Sequence, residues 1–145
     1  MSIELLIVDD EVEIRKSLGV YFKSCGYEVT LAENGNAALG VLAVKRIDIC
    51  ISDIIMPIMD GVELLRQVRH DYPMTRVIMI TGYVTLENAL ACMRLGADTC
   101  VFKPFEDLSE LTSAVEGSTA ILNSWKKKLK ELVFMKSQSV EENHG

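Results

Sequence analysis

Along the first hundred residues, short apolar runs alternate with stretches in which apolar residues recur at helical spacing. The runs are IELLIV (3–8), EVTLA (28–32), DICIS (48–52), VIMIT (77–81) and TCVF (99–102), and each reads as a strand. Between the first two, Ile14, Leu18, Tyr21 with Phe22, and Cys25 follow a helical period, and Gly26 stands as a stop. Segments 34–46, 60–72 and 84–96 repeat that pattern, with Asp60 as the expected N-cap of the third helix and Gly96 as the stop of the fourth. Pro104 is expected to open a last helix carrying Leu108, Leu111 and Val115. Strands alternating with helices predict βαβ units, hence an α/β fold with a doubly wound, five-stranded parallel sheet covered on both faces. IELLIV and VIMIT are apolar nearly throughout, as burial on two sides requires.

Composition narrows the function more than the fold. The 145 residues suffice for one domain with its own core, and 49% hydrophobic with 25% charged residues is ordinary for a globular protein. No apolar run approaches the roughly 20 residues of a membrane span, and no basic segment precedes an apolar one at the N-terminus. Neither a membrane partner nor a signal peptide is therefore expected. Cys25, Cys50, Cys92 and Cys100 are widely spaced and lack the histidine company of a zinc site. They read as reduced core residues, which points to the cytoplasm. A net charge of −6 argues against direct nucleic-acid binding, and the basic run KKKLK (126–130) reads as a solvated helix face.

The chemistry gathers at the strand ends, where doubly wound sheets bind their ligands. Asp9, Asp10 and Glu11 follow the first strand, Ser52 and Asp53 end the third, Thr81 and Gly82 the fourth, and Lys103 and Pro104 follow the fifth. The Asp9–Asp10 pair taken alone would equally cap the first helix. Brought to one rim, however, the carboxylates call for a cation, and oxygen-only ligands favour a hard one, Mg²⁺ with Mn²⁺ as the alternative. Lys103 offers a point charge and Thr81 a hydroxyl to phosphoryl oxygens, and Gly82 leaves the approach open. Such a set equips a site for phosphoryl transfer.

LLIVDDE, DICISDIIMPIMDG, VIMITGY and CVFKPF, in this order, resemble the receiver domain of two-component response regulators over about residues 3–120. The resemblance implies a flavodoxin-like (βα)5 fold with strand order 2-1-3-4-5 and Asp53 as the phosphoacceptor, charged by a sensor histidine kinase or phosphotransfer protein. It also implies Mg²⁺ held by Asp10, Asp53 and the Ile55 carbonyl, with Asp9 acting through water. Thr81 and Lys103 would contact the phosphoryl group, and Lys103–Pro104 would be cis. Such a module catalyses its own phosphorylation, with no external turnover expected. The sequence departs from the family at Cys100, where an aromatic switch residue is usual, and Tyr83 is a candidate to take part of that role. Ile55 and Tyr83 are bulky at positions that border the path of the hydrolytic water, so slow loss of the phosphoryl group is expected. A dehalogenase-type enzyme would instead end its first strand in Asp-x-Asp. A phosphorylation-independent pseudo-receiver, acting as an interaction module, would lack a site residue.

Beyond a receiver at 1–120, residues 121–145 read as a helical extension with a disordered end from Ser137. Leu108, Leu111, Val115, Ser118, Leu122, Trp125, Leu129 and Leu132 alternate steps of three and four, a heptad register. Gly117, Ser118 and Thr119 are weak helix formers and mark a candidate kink. A seam of Leu122, Trp125, Leu129 and Leu132 suits a homodimer through the last helix.

Overall fold

The computed structural model describes residues 2–144, with side chains as far as 139. Five strands, β1 (Glu4–Val8), β2 (Glu28–Ala32), β3 (Ile49–Asp53), β4 (Arg76–Thr81) and β5 (Thr99–Phe102), alternate with five helices. The helices are α1 (Val12–Ser24), α2 (Gly35–Val44), α3 (Gly61–Asp71), α4 (Leu86–Arg94) and α5 (Ser109–His144). All pairings are parallel and the order is β2-β1-β3-β4-β5, which is the expected doubly wound topology.

Alternation along the strands sorts the core into two layers. Leu6, Val8, Cys50 and Met79 face α2, α3 and α4, where Leu42, Leu64, Val68 and Cys92 meet them. Leu5, Ile7, Ile51, Ile78 and Ile80 face the other way, onto Leu18 and Phe22 of α1 and Leu111 and Val115 of α5. The central strands β1, β3 and β4 are therefore buried on both sides, whereas edge strand β2 leaves Leu31 exposed.

Helix starts follow local chemistry. The side chains of Asn34, Asp60 and Thr85 accept from the backbone N–H of Ala37, Glu63 and Asn88, satisfying donors that the first turns leave open. Gly26 (φ 96°) and Gly96 (φ 85°) end α1 and α4 in the left-handed region, as their stop positions predicted. Two expectations are corrected. Pro104 does not open the last helix; it lies in a loop after a cis Lys103–Pro104 bond, and α5 begins at Ser109, whose N–H (2.8 Å) and Oγ (2.5 Å) both donate to Asp107 Oδ1. Cys25 is exposed rather than a core residue, because it is the C-cap of α1, where the chain leaves the packed face.

α5 is one continuous helix through Gly117–Thr119, and its described backbone extends to His144. Packing outweighs weak propensity here. Ser118 is buried in the seam and donates to Asp98 Oδ2 at 2.7 Å, Asp98 also pairs with Arg76, and Thr119 Oγ1 donates to the Val115 carbonyl at 2.9 Å. Past Leu122 the helix leaves the domain: Trp125, Leu129, Leu132, Val133, Phe134 and Met135 are exposed.

Candidate phosphoacceptor site

Parallel pairing puts the carboxyl ends of β1, β3, β4 and β5 on one rim. Val8 pairs with Ser52, Asp53 with Ile80, and Thr81 with Phe102, so residues distant in sequence emerge side by side. Asp9, Asp10 and Asp53 each place a carboxylate oxygen within 4.8 Å of the others. Asp9 and Asp53 are buried, whereas Asp10 is exposed at the mouth.

Lys103 holds this cluster together. Its Nζ lies 2.7 Å from Asp9 Oδ2, 2.8 Å from Asp53 Oδ2 and 3.2 Å from Glu11 Oε1. Burial alone would lower the lysine pKa, but the hydrogen bonds to Asp53 and Asp9 carry it well above the ordinary value, so the ammonium stays charged. Burial pushes the Asp9 carboxyl up, against the lowering pull of Lys103 and of the Glu11 N–H, which donates to Asp9 Oδ1 at 2.8 Å. Asp9 therefore buttresses the β1–α1 turn rather than capping α1; the N-cap is Glu11, which makes no side-chain cap. Asp9 Oδ2 is buried, with the Lys103 ammonium at 2.7 Å as its partner. Three carboxylates that gather within 4.8 Å, an all-oxygen donor set without imidazole or thiolate, fit a hard divalent cation.

Asp53 is fixed from both sides. Oδ2 faces Lys103, and Oδ1 accepts the Ile55 N–H at 3.2 Å. The MPIMDG turn then brings the start of α3 against the acceptor strand, where the Gly61 N–H donates to the Ile54 carbonyl at 2.7 Å. A Cβ on Gly61 would lie 2.0 Å from the Asp53 carbonyl oxygen, so only glycine fits. Within the turn, Ile58 adopts φ 73° under a Met59 N–H to Pro57 carbonyl bond of 2.8 Å, a strained γ-turn for a branched residue.

The remaining expected residues fall nearby. Thr81 is buried, and its hydroxyl donates to the Tyr83 carbonyl (2.7 Å) while accepting the Tyr83 N–H (3.2 Å), so it closes its own loop. A Cβ at Gly82 would meet Lys103 at 3.7 Å, an ordinary contact. Ile55 and Tyr83 are both exposed. Cys100 is half-buried against the α2–α4 layer, and burial pushes its thiol up to about 11. Two contributors escape sequence reasoning. Gly61 is visible only as the end of the MPIMDG turn, with no sign of its approach to the Asp53 carbonyl, and Arg15, whose Nη1 donates to the Asp9 carbonyl at 2.6 Å, carries no signal.

The family model for the response regulator receiver domain matches residues 5–116. This chain belongs to that family. As a receiver domain it serves phosphorylation-dependent two-component signalling, and it carries an acidic cluster of Asp9, Asp10 and Asp53. It is 39% identical over 140 residues to the regulatory protein AtoC of Escherichia coli, covering 97% of this chain and 30% of AtoC. It is 37% identical over 116 residues to sporulation initiation phosphotransferase F of Bacillus subtilis, covering 80% of this chain and 93% of that protein. Among solved structures, the response regulator TrrA of Thermotoga maritima in complex with Mg²⁺ and BeF superposes with a TM-score of 0.73 at 33% identity, covering 81% of this receiver and 99% of that chain. The receiver thus spans less than a third of AtoC's length.

Proposed function

We propose that Asp53 accepts a phosphoryl group from a phosphohistidine on a sensor histidine kinase or phosphotransfer protein, in a Mg²⁺-dependent reaction in the cytoplasm. A carboxylate oxygen of Asp53 forms the new P–O bond as the P–N bond breaks, and the histidine imidazole leaves with the electron pair. Asp10, Asp53 and the Ile55 carbonyl would hold the cation directly and Asp9 through water; bound there, Mg²⁺ neutralises charge that develops on the phosphoryl oxygens. Lys103 exchanges its contact with the carboxylates for one with a phosphoryl oxygen. The Thr81 hydroxyl gives up the Tyr83 carbonyl to donate to another, with Gly82 leaving that path clear. The observation that carries this reading is the gathering of the Asp9, Asp10 and Asp53 carboxylates at one rim, with Asp9 and Asp53 sharing the Lys103 ammonium.

Freeing the Tyr83 carbonyl remodels the β4–α4 loop, and this is the switch. Cys100 packs in the position that an aromatic residue usually fills, so exposed Tyr83 supplies the mobile ring. Bulky Ile55 and Tyr83 at the mouth make loss of the phosphoryl group slow; Ile55→Asn with Tyr83→Glu should hasten it, and an unchanged rate would refute the steric account. Residues 1–120 form the receiver, and 121–145 an extension through which two copies pair and control a partner or output domain. Incubation with Mg²⁺ and acetyl phosphate should add the mass of one phosphoryl group, and Asp53→Asn should abolish the gain. A chain that gains nothing would instead be a pseudo-receiver that binds partners without phosphorylation.

A further inference from the structure

Asp9 is held at every polar atom. Its N–H donates to the Ala32 carbonyl at 3.2 Å, Oδ1 accepts the Glu11 N–H at 2.8 Å, and Oδ2 faces Lys103 at 2.7 Å. The carbonyl oxygen lies past the sheet ladder, because both pairings of β1 end at Val8. Asp9 is fully buried, so that carbonyl needs a partner, and Arg15 Nη1 donates to it at 2.6 Å. Arg15 belongs to the first turn of α1, a helix that Leu18 and Phe22 fix to the sheet and that begins without a side-chain cap. The guanidinium thus reaches back from a rigid helix to the end of the strand.

Asp10 depends on that reach. It is exposed at the mouth, and no hydrogen bond or ion pair among the described residues holds its carboxylate. The peptide unit is planar, so fixing the Asp9 carbonyl oxygen also fixes the backbone N and Cα of Asp10. Resting on the cation reading above, we propose that Arg15 is a positioning residue for the Mg²⁺ site, setting Asp10 through the Asp9 carbonyl. Charge alone argues the other way. A guanidinium beside three carboxylates repels a second cation, so acting only as a charge it would weaken binding. The contact itself separates the two roles. Arg15 bonds a carbonyl and leaves the Asp10 carboxylate free for the metal, whereas Lys103 sits on the carboxylates of Asp9 and Asp53. A positioning group and a mere charge therefore predict opposite signs when Arg15 is neutralised.

The test titrates Mg²⁺ into the labelled full chain without a phosphoryl donor and reads the dissociation constant from the amide shifts of residues 9–11 and 53–56. Arg15→Met removes charge and donor together and should weaken binding at least about threefold. Groups that orient a metal ligand typically contribute about 10–100-fold in affinity, and the lost repulsion offsets part of that. Arg15→Lys keeps the charge and can make the single bond, so it should recover most of the loss. With acetyl phosphate, Arg15→Met should need more Mg²⁺ yet reach the unmutated rate once Mg²⁺ saturates. Binding by Arg15→Met that is unchanged or tighter would overturn the role of Arg15 while leaving the cation site standing. So would an Arg15→Lys chain that binds no better than Arg15→Met, or a rate that stays low at saturating Mg²⁺. An unmutated chain whose amides do not respond to Mg²⁺ would overturn the cation site and the role of Arg15 together.

Discussion

The two ends of this sheet solve opposite problems. At the carboxyl rim, charges that water would normally solvate are packed together and held by Lys103, at 2.7 Å from Asp9 and 2.8 Å from Asp53. At the base, apolar side chains that a core would normally cover are carried out on α5, from Trp125 to Met135, and left bare. Both regions are incomplete as isolated folds, and each shows what would complete it. The rim lacks countercharge, which a cation and a phosphoryl group supply. The tail lacks a covering surface, which another protein surface supplies.

The sharpest way to break this contrast is Gly61→Ala. With a Cβ 2.0 Å from the Asp53 carbonyl oxygen, the turn must shift, and the cost should exceed about 3 kcal/mol in urea unfolding. A cost under about 1 kcal/mol would mean that the rim is not built on that close approach. Next comes the cation. At a concentration of Mg²⁺ about a hundredfold above its dissociation constant, the chain should gain about 2.7 kcal/mol, and Asp53→Asn should lose most of that gain.

Within α5 the comparison is between two leucines seven residues apart. Leu122→Ala removes a side chain only 2% exposed and should cost about 2–4 kcal/mol, whereas Leu129→Ala, at 44% exposed, should cost the monomer less than about 0.5 kcal/mol. Equal costs would show that the tail folds back on its own domain. The smallest effect is alkaline. Burial pushes the Cys50 thiol up to about 12 and Cys100 to about 11, so the fold prefers both protonated. Unfolded thiols ionise near the ordinary value of 9.0, so stability should fall as the pH rises from about 9 toward 11, and Cys50→Ala should flatten that slope.

How far the sequence discloses all this depends on the kind of force involved. The strands and their two-sided burial are legible because a parallel sheet demands near-continuous apolar runs, and Ile49–Asp53 and Arg76–Thr81 fall within a residue of the patterns at 48–52 and 77–81. The rim residues are legible because topology alone brings strand ends together. What stays hidden depends on backbone path and local competition. Gly61 looks like any glycine after a cap until the Asp53 carbonyl is placed beside it. The Thr81 hydroxyl is visible as a residue type, but its engagement with the Tyr83 carbonyl is not. Pro104 reads as a helix start, yet the loop continues to the Asp107 cap. Gly117–Thr119 reads as a break, yet the Ser118–Asp98 bond and the sheet beneath it keep α5 continuous.

The central claim is that the Asp9, Asp10 and Asp53 rim is a cation-dependent phosphoacceptor. Amide NMR of the uniformly labelled chain, first with Mg²⁺ and then with added beryllofluoride, tests it most directly. Mg²⁺ should move the amides of residues 8–11 and 53–56, and beryllofluoride should extend the shifts to Thr81–Tyr83 and Lys103, all of them lost in Asp53→Asn. Amides at 53–56 and 81–83 that stay in place under both additions would contradict the account.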